Sequence, residues 1–229
     1  MALAATEVYH FGVRIPIDRG IMSPRIVEAL QSGQYEHKEA RELERIIGPG
    51  ERVLEIGGGL GFISSLVAAN PNTEATRVFE ANPRLAAFIC NVHALNGIEN
   101  VGVEAAILSN STTSLTQPFY VREDFWSSSL SPAPFGFKEV IDVSVRSFNA
   151  EIKSFAPTLI ICDIEGGELE LFANADLTGV AKVYIEVHQK VLGRMGIKRL
   201  FDAFSARNFH YDQYHSEKGV VLFSRVDRK

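Results

Sequence analysis

Cysteine is scarce in this chain: Cys90 and Cys162 are the only two among 229 residues. No CxxC pair and no paired-histidine spacing occurs, so neither a disulfide framework nor a zinc module is expected, and no metal is assigned. Cys90 falls in a helical pattern and Cys162 inside an apolar run. Two buried free thiols in a reducing compartment is the expectation. No run approaches the roughly 18 apolar residues of a membrane span. The N-terminus lacks a basic segment followed by a long apolar core, so no signal peptide is expected and the expected location is cytoplasmic. Positive charge is not in excess either. Lysine and arginine number 23 against 28 acids, a net charge of −5. That balance argues against long-range attraction to nucleic acid, and no N-P-P-Y-type box occurs. Internal repeats and low-complexity tails are also missing.

What is present is an ordinary composition, 46% hydrophobic and 22% charged. It suffices for one well-buried α/β domain. The expected organisation is an N-terminal arm with lid helices over residues 1–50, followed by one compact unit over 51–229. The unit carries an insertion at 109–137. A homo-oligomer is left open.

The chain is organised around RVLEIGGGLGFISSL, residues 52–66. Val53, Leu54 and Ile56 form a short apolar run that contains Glu55. Gly57, Gly59 and Gly61 recur at every second position, and Phe62, Ile63 and Leu66 open a helical pattern. Strand, glycine turn and helix make the first unit of a nucleotide-type fold, in which a ligand approaches backbone without meeting a Cβ. Arg77-Val78-Phe79-Glu80 reads as the end of a second strand. Glu80 lies 23 residues after Gly57, close to the offset of roughly 20 at which a carboxylate meets ribose hydroxyls. An adenosine-bearing ligand follows, with Ala81 and Asn82 beside the ribose. A dinucleotide fingerprint needs its third glycine three positions after the second. Phe62 or Ser64 stands there. The E-x-G-x-G-x-G spacing instead resembles motif I of the S-adenosylmethionine (SAM) dependent methyltransferases.

Around this loop the pattern is regular. Residues 6–18 alternate loosely, as a short strand or arm. Ser23-Pro24 starts a helix that Gly33 ends. A charged helix over 36–47 leads into the glycine-loop strand. It is either a solvated lid element or a segment placing Tyr35, Glu36 and Glu39 over the cofactor. Asn82-Pro83 starts a helix to about Asn96. Residues 101–108 read as one strand whose exit, Glu104-Ala105-Ala106, would face adenine, since ligands sit outside the carboxyl ends of strands. Residues 109–137 are too long for an ordinary connection. Their aromatics, among them Phe125, Trp126 and Phe135, either line a substrate cleft or anchor the insertion. Residues 140–145 alternate as a half-exposed strand. The run 158–163 reads as a central parallel strand, with a helix after it at 167–172. A further strand at 183–188, a helix at 198–207 and two last strands at 210–215 and 220–226 complete the chain.

A second constellation lies at strand exits. Asp163 and Glu165 are two apart, as are Glu186 and His188. Residues two apart share a side of an extended chain, and neighbouring strands are about 4.8 Å apart. Three carboxylates and an imidazole would thus gather at the sheet mouth. Such a cluster needs a cation, a hydrogen-bond donor or a shared proton. Glu168, in a first helical turn, is read as a favourable helix-end charge. His10, His37, His93, His210 and His215 carry no convincing ligand spacing.

GQYEHKEARELERII, VLEIGGGLGFIS, VFEANP, CDIEGGELELF and YIEVH, in that order, resemble the motifs of the FkbM-type SAM-dependent methyltransferases. The resemblance spans roughly residues 30 to 190, and the D-x-E-G-x-E box at 163–168 is its most specific part. Commonly the family has Asp at the place of Glu55, Asn at that of Gly59, and a T-L-D segment where Ser147-Phe148-Asn149 stands. The resemblance implies a Rossmann-like α/β fold, the seven-stranded, mostly parallel class I methyltransferase sheet with an antiparallel last strand. It also implies methyl transfer from SAM to a hydroxyl of a sugar or natural-product small molecule. The cofactor would meet Tyr35, Glu36, Glu55, Gly57, Gly59, Gly61, Glu80, Ala81, Asn82, Ala105, Ala106 and Asp163. The acceptor would meet Phe125, Trp126 and Glu165. His188 is the first choice of base, its ordinary pKa of about 6.5 lying near working pH, with Asp163 or Glu186 orienting it or acting in its place. A metal-assisted version, with Asp163, Glu165 and Glu186 as oxygen ligands, is the lesser alternative, and the rivals are a nicotinamide-dependent oxidoreductase and a SAM-binding scaffold without turnover.

Overall fold

A computed structural model describes residues 6–111, 114–133 and 136–226. Phe135 and parts of the 109–137 stretch lie outside the described residues. The chain opens with a hairpin, β1 (Glu7–His10) and β2 (Val13–Pro16), then α1 (Pro24–Gln31) and α2 (His37–Ile46). Ser23 caps α1 by accepting from the Ile26 N–H, with Pro24 at the first position, as its sequence requires.

The body follows as β3 (Glu51–Ile56), α3 (Phe62–Ala69), β4 (Thr73–Glu80), α4 (Pro83–Leu95) and β5 (Val101–Ala105). Next come β6 (Ile107–Ser109), β7 (Thr116–Val121), β8 (Glu139–Ser147) and α5 (Phe148–Phe155). The last part is β9 (Leu159–Cys162), α6 (Glu168–Ala173), β10 (Lys182–Glu186), α7 (Gln189–Ser205), β11 (Phe209–Glu217) and β12 (Val220–Arg225). The main sheet has seven strands in the order β11-β12-β10-β9-β3-β4-β5. All its pairs are parallel except those made by β12, which runs antiparallel to both neighbours. This is the expected sheet, antiparallel last strand included.

Burial explains why the central strands read as continuous apolar runs. All four residues of β9 are buried, because helices cover both faces. Val53, Leu159, Ile161 and Leu222 face a core shared with α1 to α4. Leu54, Ile160, Val183 and Phe223 face the core under α5, α6 and α7. Each fully buried Leu or Ile contributes about 1.5–3 kcal/mol.

Three expectations are corrected. Residues 101–108 are not one strand. The Ala106 N–H donates to the Glu80 carbonyl, the chain leaves the main sheet there, and β6 joins a second sheet, ordered β6-β8-β7. Of that small sheet β7 falls within the insertion, as does a 3-10 turn at Phe125–Ser127, while β6 and β8 flank it. The last long helix starts nine residues earlier than 198, at Gln189, and breaks at Gly193, whose φ of 65° no helix holds. Cys90 is exposed and Cys162 buried, since Cys90 sits on the solvent side of α4.

Candidate active site

The three spaced glycines have three different tasks. Gly57, Gly59 and Gly61 all have positive φ, at 89°, 52° and 73°. A Cβ on Gly57 would land far inside contact distance of the Asp163 carbonyl oxygen. The ends of β3 and β9 therefore close on each other only because no side chain intervenes. A Cβ on Gly61 would meet Ile89 of α4 at 3.0 Å, so this position serves helix packing. Gly59 alone faces the cavity wall, where a Cβ would meet the Tyr35 hydroxyl at 3.2 Å, Phe125 at 3.7 Å and the Glu36 carboxylate at 3.8 Å.

Beneath Gly59 lies Glu80, a buried carboxylate. It accepts from the Gly59 N–H at 3.1 Å and the Asn82 N–H at 2.8 Å. Burial pushes its carboxyl up to about 7 despite these bonds. Glu80 thus holds the loop and keeps an acceptor at the strand end.

A cavity of about 320 Å³ opens above the loop. Tyr35, Glu36, Gly57, Gly59, Glu80, Ala81, Ala106, Phe125, Trp126, Asp163 and Glu165 line it. Six other expected site residues lie off its wall. Ala105 ends β5. Asn82 caps α4, accepting from the Arg84 N–H. Gly61 packs on Ile89, and Glu55 is buried with its Oε2 unpartnered. Glu186 and His188 stand behind Asp163 and Glu165. The lining carries five acids, Glu36, Glu80, Asp163, Glu165 and Glu170, and among the described residues no lysine, arginine or histidine.

Two distant segments form the far wall. Asp124 accepts from the Ser23 hydroxyl and pairs with Arg25 at 3.5 Å. Trp126 stacks on Tyr35, with ring centroids 6.5 Å apart, and lies under the Arg25 guanidinium. Glu36 sits between α1 and α2 with φ of 44°, a left-handed conformation that costs a non-glycine residue of order 1 kcal/mol. Its carboxyl is raised well above the usual range, first by burial and then by Asp163.

The acid–histidine cluster forms as the spacing demands, with one correction. His188 is anchored by Glu168 and not by Asp163 or Glu186. Its Nδ1 lies 2.6 Å from Glu168 Oε1, and its backbone N–H donates to the same oxygen at 3.2 Å. Glu168 has no exposed surface, and no capping bond links it to the N-terminus of α6. Glu168 does stand in the first turn of α6, as expected, and in addition it holds His188. The last acid of the D-x-E-G-x-E box thus meets the last residue of YIEVH, a pairing that no local pattern in the sequence records. His188 Nε2 then points among Glu165 at 3.6 Å, Asp163 at 3.8 Å and Glu186 at 4.0 Å. Burial works to lower the imidazole pKa, but the Glu168 bond and the surrounding acids outweigh it, raising it to about 9. Asp163 keeps 44% of its side-chain surface open to the cavity. Enclosure by the walls, then the charge of Glu186, holds its carboxyl well above the usual range. Glu165 is raised chiefly by burial.

Among solved structures the chain is similar to Trm5b from Pyrococcus abyssi, at 12% identity and a TM-score of 0.52. That match covers 98% of this chain and 57% of the other, so this chain spans little more than half of Trm5b. A precorrin-6y C5,15-methyltransferase from Geobacter metallireducens GS-15 matches at 9% identity and a TM-score of 0.51, covering 93% and 94% of the two chains. A ribosomal protein L11 methylase from Lactobacillus delbrueckii subsp. bulgaricus matches at 13% and 0.50, covering 84% and 77%. The fold is that of the class I methyltransferases. In that fold the glycine loop, Glu80 and Asp163 stand at the carboxyl ends of β3, β4 and β9, where ligands of open α/β sheets bind. No family model matches the sequence, and no curated protein matches it.

Proposed function

We propose that this chain is a SAM-dependent methyltransferase that methylates a hydroxyl of a small molecule. One observation carries the cofactor reading: the cavity above the glycine loop is lined by five acids and no base among the described residues. A dinucleotide would bring a pyrophosphate into that lining with no cation to meet it. SAM brings a sulfonium and an ammonium, which the same lining attracts. The residues also fit its parts. Gly59 leaves backbone open for the amino-acid tail, Glu36 faces that tail, and Glu80 offers its carboxylate to the ribose hydroxyls. Ala81, Ala106 and Leu85 give the adenine an apolar slot.

Bound SAM supplies an activated methyl on a cationic sulfur. The protein must hold the acceptor oxygen in line with it and receive the hydroxyl proton. Asp163 and Glu165 are the acids of the cluster that reach the cavity wall, so the proton passes to them. His188 stands one layer back, anchored by Glu168, and fixes the acids in place. The hydroxyl acceptor rests on the FkbM-type motifs together with this carboxylate wall. Phe125 and Trp126 cover the acceptor side.

Calorimetric titration with S-adenosylhomocysteine, with NAD and NADP as controls, tests the cofactor. Binding of S-adenosylhomocysteine alone supports the reading, and binding of a nicotinamide cofactor instead overturns it. Trp126, the sole tryptophan, gives a second readout, since a ligand in the cavity must change its fluorescence.

A further inference from the structure

We propose that Asp163, Glu186 and His188 form a binding site for a divalent cation of the manganese or magnesium class, beside the acceptor end of the cavity. The proposal rests on the functional reading above only for what the ion would do, not for its binding.

The geometry is that of a set of ligands waiting to contract. One donor atom from each residue lies within 4.8 Å of the others. The His188 Nε2 is 3.8 Å from Asp163 and 4.0 Å from Glu186. Ligands held at about 2.1 Å from one ion stand about 3 Å apart when adjacent and about 4.2 Å apart when opposite. The two spacings to Nε2 fall between these limits, so closing on an ion requires shifts of up to about 1 Å. Asp163 and Glu186 keep 44% and 40% of their side-chain surface exposed, free to make those shifts.

The histidine is prepared for the task. A carboxylate can only accept, so the Nδ1 of His188 must carry the proton shared with Glu168. The tautomer is thereby fixed, and Nε2 is the atom presented to the cluster. A buried carboxylate behind a ligating imidazole is the usual support of a metal-bound histidine.

Charge gives an independent reason. Glu168 is fully buried, and its second oxygen, Oε2, has no partner. Among the described residues no lysine or arginine makes an ion pair with Asp163, Glu165, Glu168 or Glu186, although the more distant charge of Arg122 acts on Glu165. Four carboxylates therefore surround one imidazole, and even a protonated ring leaves them in excess. Uncompensated charge in such a site is costly, and a divalent ion offsets it. One imidazole with carboxylates suits manganese or magnesium better than a thiolate-seeking metal.

An ion here would meet the acceptor hydroxyl at the Asp163 edge and ease loss of its proton. Glu165 lines the cavity outside the ligand set and would receive that proton. The acceptor class narrows accordingly to hydroxyls with a neighbouring oxygen, which can chelate one ion.

The test titrates the full chain with Mn2+ and follows the electron spin resonance signal of the free ion. One saturable site per chain is expected, with nitrogen coupling from one imidazole in the bound spectrum. Glu186→Gln, on a half-exposed side chain, should weaken Mn2+ binding at least roughly tenfold and leave S-adenosylhomocysteine binding intact. Glu74→Gln, on a remote surface, should change neither. No saturable binding up to about 1 mM Mn2+, binding unaffected by Glu186→Gln, or binding without nitrogen coupling would each overturn the site. Loss of the cation with S-adenosylhomocysteine still bound removes this proposal alone. Cation binding without S-adenosylhomocysteine binding removes the cofactor reading alone.

Discussion

Oε1 of Glu168 takes two hydrogen bonds from His188, one from the ring and one from the backbone. These bonds tie α6 to the exit of β10 and fix the ring within the acid cluster. Glu168→Gln keeps the size and one acceptor but removes the charge behind the ring. Second-layer partners of this kind are typically worth 10- to 100-fold. We expect kcat to fall by about that factor while S-adenosylhomocysteine affinity, measured by calorimetry, stays unchanged. Equal loss of affinity would mean that the pair supports the cofactor loop instead.

Glu80 offers a proton count. Burial pushes its carboxyl up to about 7, so it is about half protonated at pH 7 in the free protein. Ribose hydroxyls favour the ionised form, so binding should release about half a proton at that pH. Calorimetry in buffers of different ionisation enthalpy measures the release directly. Glu80→Gln should abolish it and weaken binding, because a charged acceptor is worth about 1.5–3 kcal/mol.

The glycines separate folding from binding. Gly57→Ala places a methyl against the Asp163 carbonyl and should cost more than about 3 kcal/mol, enough to prevent stable folding. Gly59→Ala meets the Tyr35 hydroxyl only at 3.2 Å. It should leave a folded protein, destabilised by about 1–2 kcal/mol for the left-handed backbone, whose S-adenosylhomocysteine affinity is nonetheless lost. Thermal melts with and without ligand distinguish the two.

His93 sets an acid limit. It is buried on α4, 2.9 Å from the Ser64 hydroxyl of α3, and burial lowers its pKa to about 4. In the unfolded chain the value is about 6.5, so protons favour unfolding between these limits. The stability that neutral His93 confers is complete above about pH 6.5 and is lost as the pH falls toward 4. From pH 7 to pH 5 this group alone should cost about 2 kcal/mol. Urea melts of the parent and of His93→Gln should differ in pH slope by that amount, and parallel slopes would remove His93 as the cause.

The sheet was legible because its strands obey local rules. Leu159 to Cys162 is apolar throughout and buried on both faces, and Ser23-Pro24 and Asn82-Pro83 write their helix starts in residue types. The site was legible where spacing maps onto a strand end, as with Gly57, Glu80 and Asp163. Other features turned on partners distant in sequence. Nothing near Glu168 announces that a histidine 20 residues later will bond to it. The strand break at Ala106 depends on a bond back to Glu80, and the exposure of Cys90 on which face of α4 meets solvent. No local pattern records that Ser23 and Asp124 meet across the cavity.

That last contact divides the protein by tempo of change. Loop and acids rise from adjacent strands of the main sheet, fixed by its register. The far wall is hung from two segments joined by Ser23, Arg25, Asp124 and Trp126, outside the main sheet. Exchange of the wall would leave the register of β3, β4 and β9 untouched. Descendants of such a chain can acquire new acceptors by redrafting residues 114–133 while inheriting the cofactor end unaltered.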